Sequence, residues 1–260
     1  MGGSRRFIVM RASLLVPTLN EADSIAHVLR TFRAAAEAAN RTIFAAAPID
    51  WELLVVDGAS TDGTGPLAAA EGARVIVERR KGYGRAYRTG FEAATGDYLA
   101  TSDGDGTYPV ATIPELLARV REEHIDFLTG NRLAYLDRRS MTTEHRIGNQ
   151  ALNLFLGVAY HRYLAGVPGG ALVDSQSGFW IFPRATLEKV RLTQDGMAFS
   201  EEFKIEALVR GLKVVEVPIA YGERWGTPKL SSWRDGIGNM VFLARKRFAV
   251  GRKDRAAPSP

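Results

Sequence analysis

At 260 residues, with 46% apolar and 24% charged side chains, the chain has a globular composition and length enough to bury a core unaided, which excludes a disordered protein. It contains no cysteine, and this removes disulfides, zinc–thiolate sites, iron–sulfur clusters and a cysteine nucleophile together. The formal net charge is +5, and arginine far outnumbers lysine, a bias that suits an anionic ligand or surface and follows equally from codon usage in an Ala- and Gly-rich chain.

The basic segment Met1 to Arg11 lacks the apolar core of a signal peptide and reads as an N-terminal extension. Patterned sequence starts just after it. Ser13 to Pro17 predicts a buried strand, Ser24 to Ala39 a helix, Trp51 to Val56 a strand and Thr61 to Glu71 a short helix. Arg74 to Glu78 predicts a third strand, Tyr83 to Ala94 a helix, and Tyr98 to Ser102 a fourth strand. Helix Ile113 to Glu123 and strand Asp126 to Thr129 follow, then a polar stretch from Asn131 to Arg146 and a helix from Asn149 to Ala165. A Gly-rich loop leads to the apolar run Phe179 to Phe182, helix Ser200 to Arg210, strand Lys213 to Val217 and a C-terminal helix from about Trp233. Strands alternating with helices imply a mostly parallel, Rossmann-like α/β sheet flanked by helices. No stretch reaches the ~20 apolar residues that cross a bilayer; the nearest, Leu152 to Leu164, is interrupted by Gly157, His161 and Arg162.

In such sheets ligands sit beyond the carboxyl ends of the strands. Three of those ends carry polar clusters: Thr18-Leu19-Asn20-Glu21, Asp57 to Asp62, and Ser102 to Thr107. Each taken singly is equally a helix cap or turn; together they predict one site. In Asp103-Gly104-Asp105 two carboxylates one residue apart can share a hard divalent cation, which neutralises a diphosphate, with a tight acidic turn as the alternative. Lys81-Gly82-Tyr83-Gly84 opens a helix and offers amides to phosphate, but it lacks the third glycine and the acidic ribose partner of a dinucleotide site. Aromatics lie mostly within apolar runs rather than among basic residues, so no nucleic-acid partner is expected.

The motifs Val16 to Glu21, Val55 to Thr64, Lys81 to Gly90, Asp103 to Pro109, Asp174 to Phe179, Gly196 to Glu202 and Glu216 to Leu230, in that order, resemble family 2 glycosyltransferases, and within them the polyprenyl-phosphate (dolichol-phosphate) sugar synthase branch. The resemblance runs from about Ser13 to Gly236. It implies a GT-A fold over residues 12–236, and a metal-dependent, inverting transfer of a hexose from a nucleotide sugar such as GDP-mannose or UDP-glucose to a polyprenyl phosphate. It implies that Pro17, Leu19 and Glu21 flank the nucleoside, that Asp57 bonds the base, and that Lys81, Gly82, Gly104 and Lys229 line the donor site. Asp103 and Asp105 would hold ribose and a Mg²⁺ or Mn²⁺, with Thr107 where the branch often has a glutamine ligand. Arg132 and Arg146 would grip the acceptor phosphate, and Arg224 would close over the diphosphate. A phosphate acceptor arrives anionic and needs no base. With a saccharide or small-molecule hydroxyl as acceptor, the alternative, Glu202 would be that base.

A lipid acceptor requires a bilayer. Residues 237–252 set Ile237, Met240, Val241, Phe242 and Leu243 beside Arg245, Lys246, Arg247 and Arg252, the pattern of an interfacial helix on anionic lipid, ahead of a disordered tail at 253–260. The enzyme is therefore expected on the cytoplasmic face of a membrane. The alternative is that this helix packs on the sheet and its charges form a solvated face.

Overall fold

A strand covered by helices on both faces must be apolar along its whole length, and Leu14, Leu15 and Val16 in the first strand are fully buried. The computed structural model describes residues 10–135, 153–170, 172–225, 238–239 and 241–248. The strands are β1 (Arg11–Thr18), β2 (Asp50–Asp57), β3 (Arg74–Val77), β4 (Tyr98–Thr101), β5 (Phe127–Asn131), β6 (Trp180–Pro183) and β7 (Val214–Pro218). They form a seven-stranded sheet in the order β3-β2-β1-β4-β6-β5-β7.

The helices are α1 (Ile25–Arg41), α2 (Thr64–Ala70), α3 (Tyr83–Ala93), α4 (Ile113–Glu122), α5 (helical residues 153–159), α6 (His161–Leu164), α7 (Thr186–Lys189), α8 (Phe199–Val209) and α9 (helical residues 241–248). One core lies between the sheet and α1, α2 and α4, around Phe32, Val55, Leu117 and Leu128. The second lies between the opposite face and α3, α5, α8 and α9, around Tyr87, Trp180, Phe203 and Leu243. The helix expected from Asn149 to Ala165 is interrupted at Tyr160, whose hydroxyl donates to the Leu243 carbonyl (3.2 Å).

Among the described strands only β6 runs backwards, antiparallel to β4 on one side and β5 on the other; the remaining pairs are parallel. The carboxyl ends of six strands therefore share one edge of the sheet, and the amino end of β6 joins them there. That reversal brings the loop before β6, residues 174–178, to the same edge as the three polar clusters. Among the described residues no helix is long and apolar enough to cross a membrane.

Candidate active site

The loops after β1 and β2 are stitched to each other. The Asn20 amide donates to Ser60 Oγ (2.8 Å), Glu21 N to Thr64 Oγ1 (2.8 Å), Ala22 N to Asp62 Oδ2 (3.0 Å), and Thr61 N to Asn20 Oδ1 (2.8 Å). Asn20 adopts a left-handed backbone (φ 52°) to make this turn, which asparagine tolerates. Asp57 is buried and its Oδ1 accepts from the Ser60 amide (3.1 Å) and hydroxyl. Both are the bonds of a turn. Pro17 is half-buried, Leu19 is exposed and Glu21 is buried.

The loop after β4 carries the acidic pair. Asp105 is buried; its Oδ1 accepts from Thr107 N (3.1 Å) and Thr107 Oγ1 (2.6 Å), and its Oδ2 lies 3.2 Å from Arg224 Nη1. Arg224 Nη2 reaches Glu21 Oε1 at 2.7 Å, so one guanidinium spans the β1 and β4 loops. The segment bearing Arg224 is pinned over them by Gly222 N to Thr107 O (2.9 Å) and Trp225 N to Asp105 O (3.0 Å), and Trp225 stacks on His27 at 4.7 Å. Burial, then the adjacent Asp105 charge, raise the Asp103 carboxyl to about 7. Gly104 lies so close to β1 that an added Cβ would sit 2.7 Å from Thr18 Cγ2.

Asp103 and Asp105 are the groups here suited to a hard cation. Among the described residues no cluster of three His, Asp or Glu comes together, and the Thr107 hydroxyl donates to Asp105 rather than standing apart. Two carboxylates with coordination positions left for phosphate oxygens and water fit Mg²⁺ or Mn²⁺ held together with a nucleotide, and do not fit an all-protein cage.

Across the edge, Arg132 follows β5. Its guanidinium grips Asp174 through Nε to Oδ2 (2.7 Å) and Nη2 to Oδ1 (2.8 Å), its amide adds a third bond (3.0 Å), and it lies over the Tyr221 ring at 5.4 Å. Asp174 is fully buried; burial opposes its charge, but Arg132 prevails and holds the carboxyl down to about 2. Tyrosines gather beside these groups: Tyr83 bonds Tyr87 (3.3 Å), Tyr87 reaches Asp103 (3.5 Å), and the Tyr108 hydroxyl accepts from Gly178 N (2.9 Å).

The glycine-rich start of α3 is committed to protein. Gly84 N donates to Gly196 O (3.3 Å) and Arg85 N to Asp195 O (3.1 Å), while Gly82 takes φ 137° against Asp195; Lys81 is exposed beside it. Glu202 is buried and directed to that same 193–195 loop. It accepts from Thr193 N (2.7 Å), Thr193 Oγ1 (2.8 Å) and Gln194 N (2.8 Å), with Lys246 at 3.5 Å. Among the described residues these partners of Glu202 all lie away from the strand ends. Its neighbour Glu201 faces the other loop, bonding Gln176, and burial raises it to about 8. Arg146 and Lys229 lie outside the described residues.

Nothing local in the chain gives a role to Asp174, Lys204, Glu216 or these tyrosines. The run Asp174 to Phe179 was itself conspicuous, and its position before an apolar strand was the available signal.

The family described as "Glycosyl transferase family 2" matches residues 13–191. The low-salt glycan biosynthesis hexosyltransferase Agl6 of Haloferax volcanii is 36% identical over 233 residues, 89% of this chain and 52% of that protein, so the chain spans about half its length. The dolichyl-phosphate hexose transferase of the same organism is 31% identical over 192 residues, covering 73% of this chain and 79% of its own. The polyprenol monophosphomannose synthase of Mycolicibacterium smegmatis is 28% identical over 261 residues, covering 95% and 90%. Glucosyl-3-phosphoglycerate synthase of Mycobacterium tuberculosis, solved with UDP, superposes with a TM-score of 0.68 at 21% identity, covering 92% of this chain and 80% of that one. Its complex with Mn²⁺, UDP and glucosyl-3-phosphoglycerate gives 0.64 at 21% identity, covering 96% and 81%.

Proposed function

The chain belongs to glycosyltransferase family 2, and from that premise we propose that it moves a hexose from a nucleoside-diphosphate sugar to a polyprenyl phosphate with inversion. The donor would lie over Asp103 and Asp105, with Leu19 and Glu21 flanking the nucleoside. Mg²⁺ or Mn²⁺ bound with it would neutralise charge as the diphosphate leaves. Arg224, now paired with Glu21 and Asp105, would turn a fixed positive charge toward the departing diphosphate, where negative charge grows in the transition state. Arg132 would hold the acceptor phosphate on the opposite side, steered by Asp174.

The observation that carries this reading is the pairing of an acidic, cation-suited pair with a buried arginine across one sheet edge, while Glu202 is occupied with the 193–194 amides. A phosphate monoester is already ionised and needs no base, so this distribution of charge suits it. Transfer to a hydroxyl would require Glu202 to leave three short hydrogen bonds. Support for the lipid acceptor comes from the relatives named as acting on dolichyl phosphate and as a polyprenol monophosphomannose synthase; support for a cation and a nucleotide comes from the Mn²⁺ and UDP of the structural neighbour.

The test is a radiolabelled-donor assay with Mn²⁺ or Mg²⁺, offering UDP-glucose and GDP-mannose against a short polyprenyl phosphate. Label should enter the organic phase with one of the two donors. Label confined to a water-soluble glycoside would overturn the lipid-phosphate reading and leave a soluble acceptor.

Reaching that acceptor requires a membrane surface, which we place at α5 and α9. The two helices touch through Tyr160 and Leu243, and through Arg247 Nε to Ala159 O (2.6 Å). Leu154 and Val158 on α5 (each 69% exposed) and Phe248 on α9 (77%) project outward. Of the basic residues expected to face lipid, Lys246 is turned inward to Glu206 (2.6 Å) and Arg247 to α5, leaving Arg245 exposed; Arg252 lies outside the described residues. The surface would face the cytoplasm, where nucleotide sugars are supplied.

A further inference from the structure

Arg132 presents a difficulty as an anion receptor. A guanidinium clamped by both oxygens of a fully buried carboxylate has its charge cancelled by its own partner, and a phosphate gains little from a neutral pair. The structure contains a second buried cation, seated against the main chain of that same loop. Lys204, on α8, is fully buried, and its Nζ donates to the carbonyls of Asp174 (2.5 Å) and Ser177 (3.2 Å). Both bonds go to the main chain of the 174–177 loop, and neither goes to a strand-end carboxylate.

The charges around Lys204 come from four elements. Asp174 lies on the loop before β6. Arg132 follows β5. Glu216 on β7 accepts from Val173 N (2.9 Å), Asp174 N (3.0 Å) and Asn131 Nδ2 (3.3 Å). Glu201 lies on α8 itself, and burial raises its carboxyl to about 8, so it is mostly uncharged near neutrality. With Lys204 charged, two cations face two carboxylates, Asp174 and Glu216. Without it the cluster of Arg132, Asp174 and Glu216 is left with a net negative charge and would repel a phosphate dianion.

We propose that Lys204 is a positioning residue for the acceptor side: by compensating the Asp174 charge, it lets Asp174 orient Arg132 while leaving the Arg132 charge available to a phosphate monoester. This rests on the proposed lipid-phosphate acceptor and adds a residue that does not touch the substrate. An ammonium buried this deeply is costly and persists only with a full set of partners. α8 is buried on all sides yet carries Glu201, Glu202, Lys204 and Glu206, a departure from apolar patterning of the kind that marks functional support. Two of its acids anchor the 191–194 loop, through Glu202 to Thr193 and Gln194 and Glu206 to Arg191 N (3.0 Å). Lys204 and Glu201 anchor the 174–177 loop, so one helix holds both loops at the edge of the site.

The experiment is calorimetric binding of farnesyl phosphate to the full-length chain, with Mn²⁺·UDP and Mn²⁺·GDP affinity measured in parallel. Variants are Lys204→Met, which keeps length without charge, Asp174→Asn, and the two combined. Removing a unit charge from beside the Arg132–Asp174 pair should weaken farnesyl phosphate binding roughly tenfold to a hundredfold in Lys204→Met, with nucleotide affinity within about twofold. Adding Asp174→Asn should restore most of the loss, since the charge that Lys204 compensates is then gone. A role as a mere tether of two carbonyls would not be restored in that way. Unchanged farnesyl phosphate binding in Lys204→Met, a parallel loss of nucleotide and lipid phosphate, or no recovery in the double variant would each overturn the proposal. A wild-type chain that binds nucleotide but no farnesyl phosphate would overturn the acceptor reading itself, and this inference with it.

Discussion

Arg132 and Asp174 form the most constrained ion pair of the site, and its burial determines how it must be tested. Removing one partner of a buried, bidentate pair leaves the other charge uncompensated, at a cost of about 3 kcal/mol or more. Arg132→Ala should therefore lower thermal stability as well as acceptor use. Arg132→Lys keeps the charge but cannot span both Asp174 oxygens. It is expected to raise the acceptor KM about tenfold with donor KM unchanged, and steady-state kinetics with both substrates varied would check it. A rise in donor KM alone would move Arg132 to the donor side. The same reasoning separates Glu201 from Glu202. The two are adjacent in sequence, but successive residues on a helix point about 100° apart, so one is given to the 174–177 loop and the other to the 193–194 loop.

Among the elements, the N-terminal half of the sheet is tied at the end remote from the site by Glu52 on β2. Its carboxylate accepts from Ser13 on β1, from Arg74 on β3 (2.6 Å) and from Thr95 N in the turn before β4 (2.8 Å). Burial alone would raise this carboxyl, but the bonds from Ser13, Thr95 and Arg74 outweigh it and bring it from the ordinary 4.5 down to about 2. A carboxyl with a depressed folded-state pKa stabilises the fold above its unfolded value, and that contribution is lost as pH falls from about 4.5 to about 2. The size is about 3 kcal/mol at neutral pH, from 1.36 kcal/mol per unit. Urea unfolding at pH 7, 4 and 3 should show the wild type losing stability over that window faster than Glu52→Gln; parallel curves for the two would remove Glu52 from this role. In sequence Glu52 reads as one polar position in the strand Trp51 to Val56, and nothing local announces that three other elements converge on it.

On the scale of the whole molecule, the two faces of the sheet divide their duties. The α1/α4 face is a plain apolar core. The α3/α8 face carries the buried ions, supports both site loops and extends through α5 and α9 to the exposed Leu154, Val158 and Phe248. If that patch meets lipid, the chain should cosediment with vesicles containing anionic phospholipid, and Leu154→Ser combined with Phe248→Ser should reduce the bound fraction several-fold at unchanged stability. Each buried apolar side chain withdrawn from the interface forfeits about 1.5–3 kcal/mol. Equal binding by wild type and variant would place the contact elsewhere.

The strands, their alternation with helices and the acidic pair at the end of β4 were legible in the chain because each is a local pattern: apolar runs of strand length, turn residues at their ends, and two carboxylates one residue apart. Direction and partnership were not. Phe179 to Phe182 is an apolar run whichever way it is laid in the sheet, and its reversal is what delivers Asp174 to Arg132, 42 residues away. Asp57 and Glu202 follow the same rule, since a carboxylate takes the donors that folding brings within reach: Ser60 for the one, Thr193 and Gln194 for the other. The primary structure decided which segments become strands and helices and where the chemistry-bearing residues emerge. The tertiary structure alone decided which buried charge answers which, since a charge removed from water must be matched by a partner, and that partner is chosen by long-range packing rather than by any neighbour in the chain.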